Sequence, residues 1–185
     1  MIWNEIVCLG DSITYGARDE HGRSYPAELN KILLEKTGEV YVCHNHGING
    51  ETSSDLLRRT WQALKSHSDA KVALIMIGTN DTQVNNPPSI YRDNLNQIIN
   101  MVKIFGMKPI VATLPKLGFT PLYINNSKNI KDYNSEIMSL SKLLNFDVCN
   151  MSGIEKYYID NVHFTHAGNV KIAKKWAKTI LDSQT

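Results

Sequence analysis

The chain has no apolar run approaching the ~20 residues that a membrane-spanning helix needs. Cysteine is scarce. The three present, Cys8, Cys43 and Cys149, are odd in number and far apart, with no C-x-x-C pair. That excludes a disulfide framework and a dithiol metal or redox motif, and leaves them as small core hydrophobes in strand-like runs. An excess of charge of one sign is also missing. The 20 Lys and Arg nearly balance 18 Asp and Glu, for a formal net charge of +2, and the longest basic runs are the pairs Arg58-Arg59 and Lys174-Lys175. Such scatter excludes a nucleic-acid groove and a polybasic membrane patch, so neither nucleic acid nor a stable membrane anchor is an expected partner. Met1-Ile2-Trp3-Asn4-Glu5 lacks the basic segment and long apolar core of a secretory leader. With Met1 as the native start, the expected compartment is the cytoplasm. Repeats, low-complexity tracts and linkers are absent too, so one domain over residues 1–185 is expected, and its 42% hydrophobic content is ordinary for a globular chain.

What is present is an alternation of short apolar runs and helical stripes. The runs Ile6–Leu9, Val40–His44, Val72–Ile77, Ile110–Leu114 and Phe146–Cys149 read as strands, and "VALIMI" is apolar throughout, as a parallel strand covered on both faces must be. "SYPAELNKILLEKTG" has a proline in its first turn and a glycine past its end. Later segments repeat Leu57, Trp61 and Leu64; then Leu95, Ile98, Ile99 and Val102; then Ile130, Tyr133, Ile137, Leu140 and Leu144; and last Val170, Ala173, Trp176 and Ile180. These stripes are the core faces of amphipathic helices. Strands that each lead into a helix predict an α/β fold with a parallel five-stranded sheet, flavodoxin-like, in the order 2-1-3-4-5. In such sheets ligands bind beyond the carboxyl ends of the strands, at the switch point beside strand 1.

The residues at those ends carry chemistry. Strand 1 runs into Gly10-Asp11-Ser12, strand 2 into "NHGING", strand 3 into "GTND", and the segment before the last helix is "DNVHFTHAG". Acyl transfer needs a nucleophile, a base, a group that orients the base, and donors for the developing oxyanion. Ser12 supplies the first and His163 the second. Asp160, three residues earlier, can reach the imidazole within one turn. The backbone N–H of Ser12, the backbone N–H of Gly47 and the Asn80 amide are the candidate oxyanion donors, with glycine at 47 allowing close approach of an acyl group.

These blocks together resemble the SGNH hydrolase family, also called GDSL esterases and lipases. Gly10-Asp11-Ser12-Ile13, Gly47 within "NHGINGETSSDLL", "GTND", and Asp160 with His163 correspond to its motifs in order along most of the chain. The resemblance implies a three-layer α/β/α fold, a Ser12-His163-Asp160 triad, an oxyanion hole including Gly47 and Asn80, and no metal or organic cofactor. It also implies a small-molecule ester as substrate and a kinship with the lysophospholipase-like and acetylesterase branches. Two departures stand out: Asn161 occupies a position where glycine is frequent, and His166 adds a second histidine. Transfer to an acceptor or cleavage of a thioester would use the same residues. A flavodoxin-like module that only binds its ligand is the competing class, and it would have no use for all five site residues. The oligomeric state is left open.

Other polar residues have structural expectations. His44 and His46 read as strand-end and loop residues, His21 as solvated, and His67 as the end of a helix. Asp11 is either a turn acceptor or an orienter of the Ser12 loop, and Asp81 is expected to hold its loop. Thr165 reads as an N-cap, which puts His166 in the first turn of the last helix. Pro115–Ser127 has no period and is long for a connection, so it reads either as a plain connection or as a substrate-lining loop.

Overall fold

The computed structural model describes residues 4–118 and 126–183. Among these, five strands form one sheet: β1 (Asn4–Gly10), β2 (Tyr41–Gly47), β3 (Val72–Met76), β4 (Lys108–Ala112) and β5 (Asp147–Cys149). All neighbours are parallel, and the order is β2-β1-β3-β4-β5, as the alternation of runs predicts. The helices are α1 (Ser12–Tyr15), α2 (Tyr25–Thr37), α3 (Ser53–Lys65), α4 (Thr79–Gln83), α5 (Pro88–Ile104), α6 (Asn126–Leu144) and α7 (His166–Asp182).

The layers follow from side-chain alternation along the strands. Val7, Leu9, Ala73, Ile75 and Val111 face one way, against Leu56 and Leu64 of α3, Leu95 and Ile98 of α5, and Tyr133 and Ile137 of α6. Ile6, Cys8, Leu74, Met76 and Ile110 face the other way, against Leu29 and Leu33 of α2 and Ile172 and Trp176 of α7. The sheet is thereby sandwiched, and the inner strands are apolar on both faces. No helix among the described residues is long and apolar enough to cross a membrane.

All five strands begin or end off the expected apolar runs, and the buried face of one helix differs as well. β4 starts two residues before Ile110. β2 continues past His44 through Asn45 and His46 to Gly47, which pairs with Gly10. This edge strand is half-exposed, so polar side chains fit where an inner strand would need apolar ones. The buried face of α3 is Ser53, Leu56, Thr60, Ala63 and Leu64, whereas Trp61 is exposed and meets Phe105 edge-on at 4.8 Å. Thr60 is tolerated inside because its hydroxyl donates to the Leu56 carbonyl at 2.7 Å. Cys8 and Cys149 are buried as expected, while Cys43, on the edge strand, is half-buried. Of the long connection at 115–127, residues 119–125 lie outside the described residues.

Candidate active site

β1 ends at Gly10 and the chain turns at once into α1. Asp11 caps that helix: its Oδ1 accepts from the Ile13 N–H at 2.9 Å. This is the turn-acceptor role, and it fixes Ser12 as the first helical residue. A first-turn N–H has no acceptor within its own helix, so the Ser12 N–H is left for another oxygen. The Ser12 side chain lies at the floor of a cleft of about 640 Å³.

From the far end of the sequence comes a tight loop. An antiparallel bridge between Tyr158 and Phe164 and a bond from the Ile159 N–H to the His163 carbonyl (2.8 Å) close it. Inside it, Asp160 Oδ1 accepts from the backbone N–H groups of His163 (2.8 Å) and Val162 (3.2 Å). Its Oδ2 meets His163 Nδ1 at 2.8 Å, and His163 Nε2 lies 2.9 Å from Ser12 Oγ. Burial works to raise the Asp160 pKa. The bonds from the His163 N–H, the His163 ring and the Val162 N–H outweigh it and hold the carboxyl below its ordinary value. An ionised Asp160 makes Nδ1 the donor nitrogen, which leaves Nε2 as an acceptor facing the hydroxyl. Asn161 has φ of 72°, the left-handed region where glycine is easiest and asparagine is tolerated. That backbone requirement accounts for the departure at this position.

Arg18 was not legible as a site residue. Its Nε lies 2.7 Å from the same Asp160 Oδ2, and its own φ is 63°. A non-glycine residue held there stores about 1–3 kcal/mol of strain, and the ion pair with Asp160 holds its exposed side chain at the cleft.

Asn80 sits at the second position of α4, and its Nδ2 donates to the Glu51 carbonyl at 2.8 Å. One amide hydrogen is used by that bond and the other remains. Two anchors hold the surrounding loops. Asp81, fully buried, accepts from the Ser53 N–H (2.7 Å) and the Ser53 hydroxyl (2.6 Å). Arg59 Nε donates to both oxygens of Glu51 at 2.8 Å, and its Nη2 reaches the His46 carbonyl at 2.8 Å. Asp81 thus has the loop-holding role expected of it.

Gly47 does not join the cleft. It is the last residue of β2, and its N–H is taken by Asn45 Oδ1 at 2.9 Å. A Cβ there would lie 2.1 Å from the Tyr15 nitrogen, so the missing side chain makes room for α1 rather than for an acyl group. Gly50 lines the cleft instead, in a turn with φ of 79° and with open space where a Cβ would point. The Asn49-Gly50 dipeptide, a strong turn signal in the same block, was the sequence clue.

His166 begins α7 behind the Thr165 cap, as expected. Its ring faces Asp19 (3.3 Å) and stacks edge-on with His21, and its N–H donates to Glu20 at 2.9 Å. Among the described residues, no three potential metal ligands converge within the cleft.

A sequence profile of the GDSL-like lipase/acylhydrolase family matches residues 8–171. The chain belongs to that family. This GDSL chain is 33% identical over 110 residues to an arylesterase of Vibrio mimicus, covering 60% of its own length and 54% of the relative's. It is 33% identical over 109 residues to thioesterase 1/protease 1/lysophospholipase L1 of Escherichia coli K12, covering 59% and 50%. The matches thus span about half the length of these curated relatives. The GDSL fold is shared with a lipase/acylhydrolase from Enterococcus faecalis, with a TM-score of 0.83 over 97% of this chain and 96% of that one at 22% identity.

Proposed function

We propose that this GDSL-family chain hydrolyses small carboxylic esters through an acyl-enzyme on Ser12. The observation that carries the reading is the unbroken line Asp160 Oδ2, His163 Nδ1, His163 Nε2, Ser12 Oγ, with contacts of 2.8 and 2.9 Å. Ser12 Oγ attacks the ester carbonyl as His163 Nε2 takes its proton, and Asp160 steadies the imidazolium. The tetrahedral oxyanion is met by the Ser12 N–H, the Gly50 N–H and the free amide hydrogen of Asn80. Collapse expels the alcohol, which leaves with the proton from His163. Water then attacks the acyl-Ser12 carbonyl with His163 again as base, releasing the acid.

The cleft is chemically mixed: Asn49, Asn80, Gln83 and Arg18 line it with polar groups, and Tyr15, Ala17 and Val162 with apolar ones. Arg18 spends its Nε on Asp160, so its terminal guanidinium nitrogens are available to an oxygen-rich or anionic substituent. A thioester carbonyl presents the same electrophile, and the name of the Escherichia coli relative includes that activity.

The decisive experiment is a panel of nitrophenyl esters from two to twelve carbons, with an acyl thioester alongside, on the parent and on Ser12→Ala. The substitution should cost roughly 10⁴-fold or more in kcat/KM with the fold retained. A phosphonate ester should label Ser12. Labelling at another serine, with Ser12→Ala still active, would overturn the assignment, and a steady rise in kcat/KM toward twelve carbons would contradict a small ester with a short acyl chain.

A further inference from the structure

Three of the six histidines gather along the β2 edge of the sheet, outside the cleft. In β2, His44 and His46 pair with Val7 and Leu9 of β1, and so share the face that looks toward α3. β2 is the sheet edge, and α3 stops at Lys65. In the turn that follows, the His67 ring lies over that of His44, with centroids 3.7 Å apart and planes at 19°, while the His46 ring meets it edge-on at 5.0 Å. Glu5, near the start of β1 and on the same face, brings Oε2 to 3.0 Å from His44 Nε2. One ligand atom from each of Glu5, His44 and His67 falls within 4.8 Å of the others.

We propose that Glu5, His44 and His67 bind a divalent transition cation of the zinc type, at a site separate from the ester-cleaving cleft. Two imidazole nitrogens and one carboxylate oxygen are a donor set that Zn²⁺ uses, with a fourth position left for water. Mg²⁺ and Ca²⁺ prefer oxygen throughout, which disfavours them here. Bond lengths of about 2.0–2.2 Å in a tetrahedron put neighbouring donors roughly 3.3–3.5 Å apart. The Glu5 and His44 donors already lie 3.0 Å apart and all three fall within 4.8 Å, so closing the site requires the His44 and His67 rings to turn out of their stack. All three residues are half-buried, so water and a cation can reach them. About 17 Å of extended strand separates Glu5 from Gly10, the residue before the Ser12 helix. A cation held here would cross-link β1, the edge strand and the turn after α3, and would stabilise the folded chain by mass action.

The test is isothermal titration of the whole chain with ZnCl₂, with thermal melting and a Co²⁺ absorption spectrum alongside. The parent should take up one Zn²⁺ per chain saturably, melt at a higher temperature with the metal, and give Co²⁺ ligand-field bands. His67→Ala and His44→Ala should each weaken binding by at least about tenfold. Glu5→Gln, which keeps the side-chain shape, should weaken it as well, while metal-free ester hydrolysis by His67→Ala should match the parent and show that it is folded. His163→Ala and His166→Ala should bind as the parent does. Absence of saturable binding, binding that survives His44→Ala and His67→Ala, or binding lost in His163→Ala would overturn the site.

Discussion

Substituting Gly47 and Gly50 by alanine separates a packing glycine from a cleft glycine. At position 47 the new Cβ would lie 2.1 Å from the Tyr15 nitrogen and 2.6 Å from the Thr14 carbonyl carbon and the Tyr15 Cα. These are backbone atoms and cannot rotate aside. Overpacking costs about 1–3 kcal/mol where side chains can give, so a backbone clash belongs at or above the top of that range. At about 2–4 °C per kcal/mol for a domain of this size, Gly47→Ala should lower Tm by at least ~6–12 °C. It should also displace α1, and a misplacement of Ser12 by ~1 Å can cost ~10²-fold in rate. At position 50 the Cβ would meet nothing within 4 Å, and the cost is the left-handed φ of 79°. That strain is about 1–2 kcal/mol, or ~2–8 °C in Tm. Tilting the Gly50 N–H should lower kcat by between ~10- and ~10²-fold, less than the loss of a whole oxyanion donor, with KM little changed. Differential scanning fluorimetry and nitrophenyl acetate kinetics on both variants measure these quantities. Gly47→Ala with a parental Tm and a crippled kcat would refute the reasoning, because Gly47 would then be acting on substrate. Gly50→Ala at full kcat would remove Gly50 from the oxyanion site.

Asn80→Ala should lower kcat by roughly 10²–10³-fold with KM nearly constant, since its amide meets charge that exists only in the transition state; a raised KM at constant kcat would make it a substrate-binding residue instead. His163→Ala should be nearly inactive, whereas His166→Ala, whose ring is turned to Asp19, should stay within tenfold of the parent, about 1.4 kcal/mol on the barrier. Steady-state kinetics that reversed the two would end the triad assignment. Burial, reinforced by the charges of Asp81 and Glu51, pushes the Asp11 carboxyl up to about 7. The folded protein therefore keeps a proton that the unfolded chain releases near pH 4, and stability falls as pH rises from ~4 to ~7. Asp11→Asn should flatten that slope, so Tm measured at pH 5 and at pH 7.5 should differ less than in the parent; an unchanged difference would mean Asp11 is ionised throughout.

Much of this architecture is written in local patterns. "VALIMI" announces an inner strand because both its faces are covered, and the right-handed crossover rule does the rest of the topology. Ser12, Asn80, Asp160 and His163 could be singled out because each stands where a strand or turn ends, and the fold brings the four to one cleft. Gly47 misled for a physical reason. The stretch Asn45-His46-Gly47 looks like a loop by polarity, yet it is strand, because an edge strand needs no apolar partner on its open side. Trp61 misled in a similar way: its size suggests the core, but it covers the margin beside Phe105 while smaller Thr60 goes inside. Arg18 and the clamp of Arg59 on Glu51 join residues through space, and no spacing along the chain encodes them.

The bond between Ser12 and His163 joins residues 151 positions apart. The short helix after the first strand supplies one partner, and the last loop before the final helix supplies the other. Closing a loop of that length costs about 4 kcal/mol in its logarithmic entropy alone, a cost met only when the intervening layers are in place. During synthesis Ser12 therefore emerges long before His163, and an unfinished chain holds the serine without its ring partner. On refolding, helical signal should return before ester cleavage does, since helices need only local contacts and the His163–Ser12 pair needs the whole sheet. The Ser12–His163 pair is in this sense a seal on the assembled sheet, broken by any loss of the segment carrying His163 that leaves the rest of the sheet intact.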